Sequence, residues 1–390
     1  MGKNRILVTC ARGVAQFLKE ELVDYGFPVL SEGVAGVATE GTFDDALRLN
    51  LRLRTGQRVL YLIREFFARD AEALYREASQ IRWEKHIAED GYVCVTSSVT
   101  SPSIRDSRYA NVKCKDAIVD RIRETCGRRP DSGPDRDRAV VNLYWKDGIC
   151  SLYLDTSGEA LSRRGYRKIP MEAPMQETLA SAVIMASGWN GLGHFINPMC
   201  GSGTLAIEAA LIALNRAPGL LRDNFGFMHL KGFKKSFWND LRDEAKRQAE
   251  KGLQYRIIAT DIRDEAVEAA QKNAANAGVE HLIEFSSCDY FQTSIPEGQG
   301  IVMLNPEYGE RMGRTKELED VYKGIGDFFK QRCKGLRGYL FTGNLDLAKH
   351  VGLRAKRRIP FFNGAMECRL LEYELYEGSR MNKKPASGVK

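Results

Sequence analysis

Histidine is scarce, with only His86, His194, His229, His281 and His350 and no pair at His-x-x-x-His spacing, so no metal site is expected. The 9 cysteines are odd in number and include no Cys-x-x-Cys pair, which excludes a zinc ribbon and a disulfide frame and leaves reduced thiols of an intracellular protein. Long apolar runs are missing as well, since nothing approaches the roughly 18–20 residues that span a bilayer. The start lacks a signal-type apolar block, since the apolar run from Ile6 meets Thr9 after three residues and ends at Arg12, and Gly2 lacks the Ser or Thr that a myristoylation motif needs, because position 6 is Ile6. A cytoplasmic protein with no membrane partner is therefore expected. No fixed-period repeat occurs, and only the polar end of the chain, 378–390, is of low complexity.

What is there is globular. The 390 residues suffice for two or three domains, and hydrophobic (43%) and charged (28%) fractions near the average exclude wholesale disorder. The formal charge of +7 permits a polyanionic partner without demanding one. Segments 5–10 and 33–39 read as strands, and 14–25 and 43–53 carry apolar residues at helical spacing, a small α+β unit assigned to 1–56. A second α+β unit, assigned to 57–168, has strands at 58–64, 92–98, 139–145 and 149–155, a long helix around 109–125 and an exposed loop at 128–138.

From residue 173 onward helix and strand alternate, the pattern of a parallel sheet covered on both faces, so 169–378 reads as a doubly wound α/β domain and 379–390 as a disordered basic tail. Strands are expected at 193–197, 255–261, 283–287, 301–304, 338–342 and 367–375, the last two as an antiparallel edge pair. Helices are expected at 179–185 and 204–215 and from Asp264, as cap, through Ala277 with Gly278 as the stop; 225–252 is a charged insertion.

Polar groups suited to chemistry stand at successive strand ends. Asn197-Pro-Met199-Cys200-Gly201-Ser-Gly203-Thr204 is a tight glycine turn leading into an apolar helix, where backbone can approach a ligand and helix amides are free to bind it. Asp261, followed by Ile262, ends the next strand and suits the two hydroxyls of a ribose, and Asp289 with Tyr290 ends the one after, in place to meet an adenine edge. Each alone has an ordinary structural explanation, a crossing turn or a capping acid; their convergence on one crevice is what a nucleoside site needs. Asn305-Pro306-Glu307-Tyr308 follows the apolar strand 301–304. The Asn305 side-chain carbonyl and the Pro306 backbone carbonyl can accept both hydrogens of a conjugated exocyclic amine, while Tyr308 stacks on the base. Cys200 has no base near it in sequence, and a small packed thiol explains it better than a nucleophile does.

These residues, in order, resemble the donor loop, ribose acid, adenine acid and target-amine motif of class I S-adenosylmethionine-dependent N-methyltransferases. The stretch 173–180 looks like the helix that closes over the donor in that family, which makes Glu177 and Thr178 expected donor contacts. Upstream, 105–120 and 154–167 resemble a THUMP module with its ferredoxin-like partner. The whole is similar to RlmL-type enzymes. That resemblance implies a THUMP-bearing Rossmann-like methyltransferase that carries a methyl group to the N2 amine of a guanine in 23S ribosomal RNA or a large-subunit precursor. The enzyme so implied uses S-adenosylmethionine and yields S-adenosylhomocysteine; a monomer without a metal is expected. Some bacterial members continue into a second methyltransferase domain, and a single activity is expected here.

Two positions depart from the family pattern. Asn197 stands where Asp is usual, keeping hydrogen bonding but dropping a charge, and Glu307 replaces a second proline, which frees the backbone there and could orient Arg311. For RNA phosphates the candidates are Arg105, Arg108, Lys113 and Lys115 at near-helical spacing and Arg163, Arg164 and Arg167 beside Tyr166, against the alternative of a merely solvated basic face. A related transfer-RNA guanine-N2 methyltransferase and a non-catalytic ribosome-assembly factor are the alternatives. A dinucleotide oxidoreductase would want its acid about 20 residues after the glycine turn; Asp261 lies 58 residues after Gly203.

Overall fold

The computed structural model describes residues 2–100, 104, 106–169, 175–308 and 315–376. They divide into two compact units, 1–165 with 215–249, and 166–214 with 250–390.

In the first unit a strand β1 (Asn4–Thr9), helix α1 (Ala15–Asp24), strands β2 (Ser31–Gly33) and β3 (Gly36–Gly41) and helix α2 (Phe43–Arg52) lead to the long strand β4 (Arg58–Phe67). Helix α2 begins where Thr42 and Asp45 close a reciprocal capping box, and its apolar side chains Phe43, Ala46 and Leu47 are buried. After helix α3 (Ala71–Ser79) come strand β5 (Tyr92–Thr100), helix α4 (Ser107–Cys126), the short strand β6 (Asp131–Ser132) and the hairpin β7 (Ala139–Lys146) and β8 (Ile149–Asp155). Helix α4 starts at the Asp106 cap and stops at Gly127, whose φ of 75° suits a residue without a Cβ. The eight strands form one sheet in the order β2-β3-β1-β4-β8-β7-β5-β6. Strand β4 hydrogen-bonds β1 on one side and β8 on the other, so the two segments separated near residue 57 by sequence pattern share a continuous sheet. The expected loop at 128–138 contains β6, which pairs parallel to β5.

The second unit has helix α5 (Glu177–Ala186), strand β9 (His194–Pro198) and helix α6 (Thr204–Ala213). The chain then leaves to supply helix α7 (Lys235–Arg247), within the segment that clusters with the first unit. It returns as β10 (Ile257–Asp261), α8 (Asp264–Asn276), β11 (Ile283–Ser287), β12 (Gly300–Leu304), α9 (Thr315–Arg332), β13 (Arg337–Thr342), α10 (Leu345–Lys349) and the hairpin β14 (Arg357–Asn363) and β15 (Met366–Glu374). The order is β11-β10-β9-β12-β13-β15-β14, with the first five strands parallel and β15 antiparallel to β13. This is the class I methyltransferase arrangement, a doubly wound α/β sheet with an antiparallel end. Ile196, Val302, Leu304, Phe328, Phe329 and Leu340 are buried together in its core. Each such side chain contributes about 1.5–3 kcal/mol by leaving water.

Two expectations are corrected here. The pair β13 and β15 is antiparallel as anticipated but is not the edge, because β14 lies outside it. Helix α8 has Arg263, not Asp264, at its N-cap and makes no side-chain cap bond; Asp264 sits in the first turn, where its charge still favours the helix dipole. No helix among the described residues is long and apolar enough to cross a membrane.

Candidate active site

Strand order reverses between β9 and β12: the chain runs outward through β10 and β11, then returns to the other side of β9. At such a switch point the loops after the strands diverge and leave a crevice at the carboxyl ends. Asn197, Asp261 and Asn305 all lie at that end of the sheet.

The glycine turn is built by backbone geometry. Met199 and Gly201 have φ of 58° and 53°, and Gly203, with φ of 82°, forms the N-cap of α6 without a side-chain cap bond. A Cβ on Gly203 would lie 2.8 Å from the Cβ of Ala270, so α8 can pack here only against glycine. The Cys200 amide donates to the Thr260 carbonyl (2.8 Å) and the Gly201 amide to Asp261 Oδ2 (2.9 Å), which ties the turn to the end of β10. Asp261 Oδ1 also accepts from the Arg263 amide (3.1 Å), so the buried carboxylate is aimed by two backbone donors and keeps further lone pairs. Ile262 beside it is 68% exposed, an apolar side chain left uncovered at the crevice. Asp289 caps the next turn by accepting from the Phe291 amide (2.9 Å), and the Tyr290 ring packs edge-on against Phe328. Burial pushes the Cys200 thiol well above its ordinary range, which disfavours the thiolate a nucleophile would need.

Helix α5 carries Glu177 and Thr178 in its first turn, both buried. The Arg167 guanidinium donates to the Met175 carbonyl (2.6 Å) and Thr204 Oγ1 (3.0 Å) and lies 3.6 Å from the Glu177 carboxylate. It thereby joins the approach to α5 with the start of α6. Residues 173 and 174 of the expected closing stretch lie outside the described residues.

Asn273 on α8 escaped the sequence reading. Fully buried, its Oδ1 accepts from the amides of Lys168 (3.1 Å) and Ile169 (3.3 Å), and its Nδ2 donates to the carbonyls of Ile169 and Ser202 (both 3.2 Å). One side chain thus satisfies four backbone groups and pins the glycine turn from behind. An Asn inside an amphipathic helix carries no pattern that announces this.

Asn197 also has a structural task. Its Nδ2 donates to the Met303 carbonyl across from β12 (2.9 Å), which an ionised Asp could not do. Its buried Oδ1 has no hydrogen-bond partner among the described residues.

Asn305, Pro306, Glu307 and Tyr308 follow β12 directly. The Asn305 Oδ1 is shielded from solvent yet has no hydrogen-bond partner among the described residues, an acceptor left open. Loss of the second proline is offset by anchors on the following carbonyls: Tyr322 Oη donates to Glu307 O and Asn344 Nδ2 to Tyr308 O, each at 3.5 Å. Asn363, at the end of β14, donates its Nδ2 to Tyr308 Oη (3.5 Å). Arg311, the expected partner of Glu307, lies outside the described residues.

The basic candidates separate. Arg108 and Arg163 are exposed and pair with Asp106 and Glu159; Lys113 and Lys115, on α4, are partly exposed and pair with Glu72 and Asp116. Arg163 also lines a cavity of about 410 Å³ with Arg136 and Glu159. Arg164 is corrected: it is buried and donates to the Arg54 carbonyl (2.7 Å), out of reach of a phosphate. Arg167 is corrected likewise, since its guanidinium turns inward to Thr204 and Glu177. Arg105 lies outside the described residues. Among the described residues no group of three or more His, Cys, Asp and Glu is arranged to hold a metal ion.

The donor set of this crevice suits an adenosyl group. A buried carboxylate is aimed at the turn by its own amides, the helix after the turn starts uncapped, an apolar side chain is uncovered beside them, and a Cβ built on Gly201 meets nothing within 4 Å.

Comparisons with known proteins point the same way. A family model of RMKL-like methyltransferase domains matches residues 164–372, an RlmL ferredoxin-like domain matches 5–60, and a THUMP domain matches 68–155. A ribosomal RNA large subunit methyltransferase K/L of Syntrophotalea carbinolica is 37% identical over 96% of this chain and 54% of its own length. The chain thus spans about half the length of the curated relatives it matches. A methyltransferase structure complexed with SAH superposes with a TM-score of 0.87 at 27% identity, covering 97% of this chain and 100% of that one. A protein from Listeria monocytogenes, titled a predicted N6-adenine-specific DNA methylase, gives 0.86 at 28% identity over 96% of each chain.

Proposed function

Because the chain belongs to the RMKL-like methyltransferase family, with RlmL ferredoxin-like and THUMP domains ahead of the catalytic fold, we propose that it methylates the exocyclic N2 amine of a guanine in 23S ribosomal RNA. The observation that carries this reading is the Asn305 Oδ1 at the switch point, buried and without a hydrogen-bond partner among the described residues, followed by Pro306 and an anchored Tyr308. S-adenosylmethionine, when bound, supplies an activated methyl group on a sulfonium and leaves as S-adenosylhomocysteine. Asp261 would hold the ribose hydroxyls, Asp289 the adenine edge, Ile262 and Tyr290 its faces, and the turn from Asn197 through Met199, Cys200, Gly201 and Gly203 to Thr204 the remainder, with Glu177 and Thr178 closing from α5.

The protein's own residues then act on the acceptor. An aryl amine is a weak nucleophile because its lone pair is delocalised into the ring. Asn305 Oδ1 and the Pro306 carbonyl accept its two hydrogens, which favours a pyramidal nitrogen whose lone pair is withdrawn from ring conjugation and holds it in line with the incoming carbon; the methylated nitrogen then loses a proton to solvent. Tyr308 stacks on the base and keeps it out of the RNA helix. In this reading Arg108, Lys113, Lys115 and Arg163 track RNA phosphates, and the protein acts as a monomer in the cytoplasm.

Methyl transfer from labelled S-adenosylmethionine to unmodified 23S ribosomal RNA and to unmodified transfer RNA, with product nucleosides resolved by mass, tests the proposal. N2-methylguanosine in the ribosomal RNA is expected. The same product only in transfer RNA, or a methylated adenine, would replace the substrate; donor binding without product from naked RNA or a large-subunit precursor would favour an assembly factor.

A further inference from the structure

A cavity of about 350 Å³ lies beside the Tyr308 anchor, lined by Gly343, Asn344, Leu345, Asp346, Glu367 and Arg369. Gly343 belongs to both features, for a Cβ on it would meet the Tyr308 ring (3.1 Å) and Met366 Sδ (2.5 Å). Backbone register places the cavity relative to the amine motif. Leu304 pairs with Leu340, so Asn305 follows level with Phe341; Phe341 pairs with Leu370, and Arg369 pairs with Thr342. Arg369 therefore stands two strand spacings, about 10 Å, from Asn305 and one residue further toward the crevice. A purine held by its amine at Asn305 and stacked on Tyr308 would meet the Arg369 side chain if its far edge extends along that register.

The chemistry of the pair selects a base edge over a phosphate. Arg369 and Glu367 lie two apart on β15, hence on one face, and are hydrogen-bonded to each other. Arg369 gives one further donor to the Cys368 carbonyl (2.9 Å), which leaves guanidinium hydrogens to spare. A phosphate would be repelled by the Glu367 carboxylate. An edge that offers acceptors beside a donor satisfies both members, and guanine does so with O6 and N7 next to N1–H; adenine would turn its own N6 hydrogens toward the guanidinium.

We propose that the Glu367–Arg369 pair is the guanine-reading element of this enzyme, Arg369 donating to O6 and N7 and Glu367 accepting from N1–H of the base whose N2 amine lies at Asn305. This rests on the function proposed above. It is tested with transcripts in which every guanosine is either natural or 7-deazaguanosine, which lacks N7, assayed by the mass of the N2-methylated nucleoside. Wild-type protein should form N2-methylguanosine and lose roughly tenfold in kcat/KM on the 7-deaza transcript. Arg369→Gln should lose about tenfold or more on natural RNA, treat the two transcripts alike, and keep its affinity for S-adenosylhomocysteine, which reports an intact fold. The assignment is overturned by a wild type indifferent to 7-deazaguanosine, or by an Arg369→Gln enzyme that retains the full penalty or the full natural rate. Absence of N2-methylguanosine from wild-type protein on natural RNA is a different failure, of the underlying function, and takes this assignment with it.

Discussion

The two ends of the crevice are built on opposite plans. At the glycine turn the backbone is tied down from several sides, although the Asn197 Oδ1 has no hydrogen-bond partner among the described residues: the Gly201 amide bonds Asp261, the Cys200 amide Thr260, Arg167 Thr204, and Asn273 four backbone groups at once. At the amine motif the Asn305 Oδ1 has no hydrogen-bond partner among the described residues, and the Tyr308 carbonyl and hydroxyl each accept a long hydrogen bond from an asparagine. A donor of constant shape is best met by a rigid cradle. In the proposed reaction an extruded base would arrive from an RNA that must itself be deformed, and the groups that meet it would keep their valences for the transition state.

Four substitutions would sharpen or break this contrast. The largest effect belongs to Asn305→Ala, which removes one positioned acceptor: kcat should fall by about 10²–10³-fold with affinity for S-adenosylmethionine unchanged in calorimetry. A comparable loss of donor affinity would show that the two ends are not separate. Asn273→Ala should cost about 2–3 kcal/mol in denaturant unfolding and weaken donor binding, because buried amides and carbonyls around the turn lose their partner. Unchanged donor affinity there would mean that the turn is rigid without its buttress. Asn197→Asp, a return to the usual family residue, should destabilise by about 1–2 kcal/mol, since a carboxylate would face the Met303 carbonyl with nothing to donate. A gain in stability would place the Asn197 side chain in the donor site and not between strands. The smallest change is expected of Tyr308→Phe, which keeps the stacking ring and loses the hydroxyl with its long bond to Asn363; kcat/KM should stay within about threefold. A tenfold fall would make the hydroxyl part of the acceptor machinery.

The donor end was the more legible of the two, for a physical reason. Tight turns against a helix demand glycine and strand ends demand particular acids, so Gly201, Gly203, Asp261 and Asp289 stand out by residue type at fixed places in an alternating pattern. The amine motif was legible as four consecutive residues, but its supports were not. Asn344 and Asn363 reach Tyr308 from 36 and 55 residues away, separations at which no periodicity or spacing rule operates. Strand β14 escaped notice because its charged and aromatic residues do not alternate cleanly and Pro360 interrupts it, which an edge strand tolerates.

The basic residues show where reading by residue type fails. Arg163, Arg164 and Arg167 look alike in sequence, yet Arg163 is exposed, Arg164 is buried against the Arg54 carbonyl, and Arg167 joins α5 to α6. Charge alone places a guanidinium on the surface; only the packed backbone, by presenting carbonyls that must find donors, draws two of the three inward. By itself the sequence determined most of the strands, the doubly wound plan and the residues at the strand ends, because hydrophobic periodicity and turn chemistry act over a few residues. Which asparagine buttresses the turn, which arginines stay exposed, and which strand brings its carboxylate and guanidinium beside Tyr308 were decided by tertiary structure, since each depends on partners that only the folded sheet brings within reach.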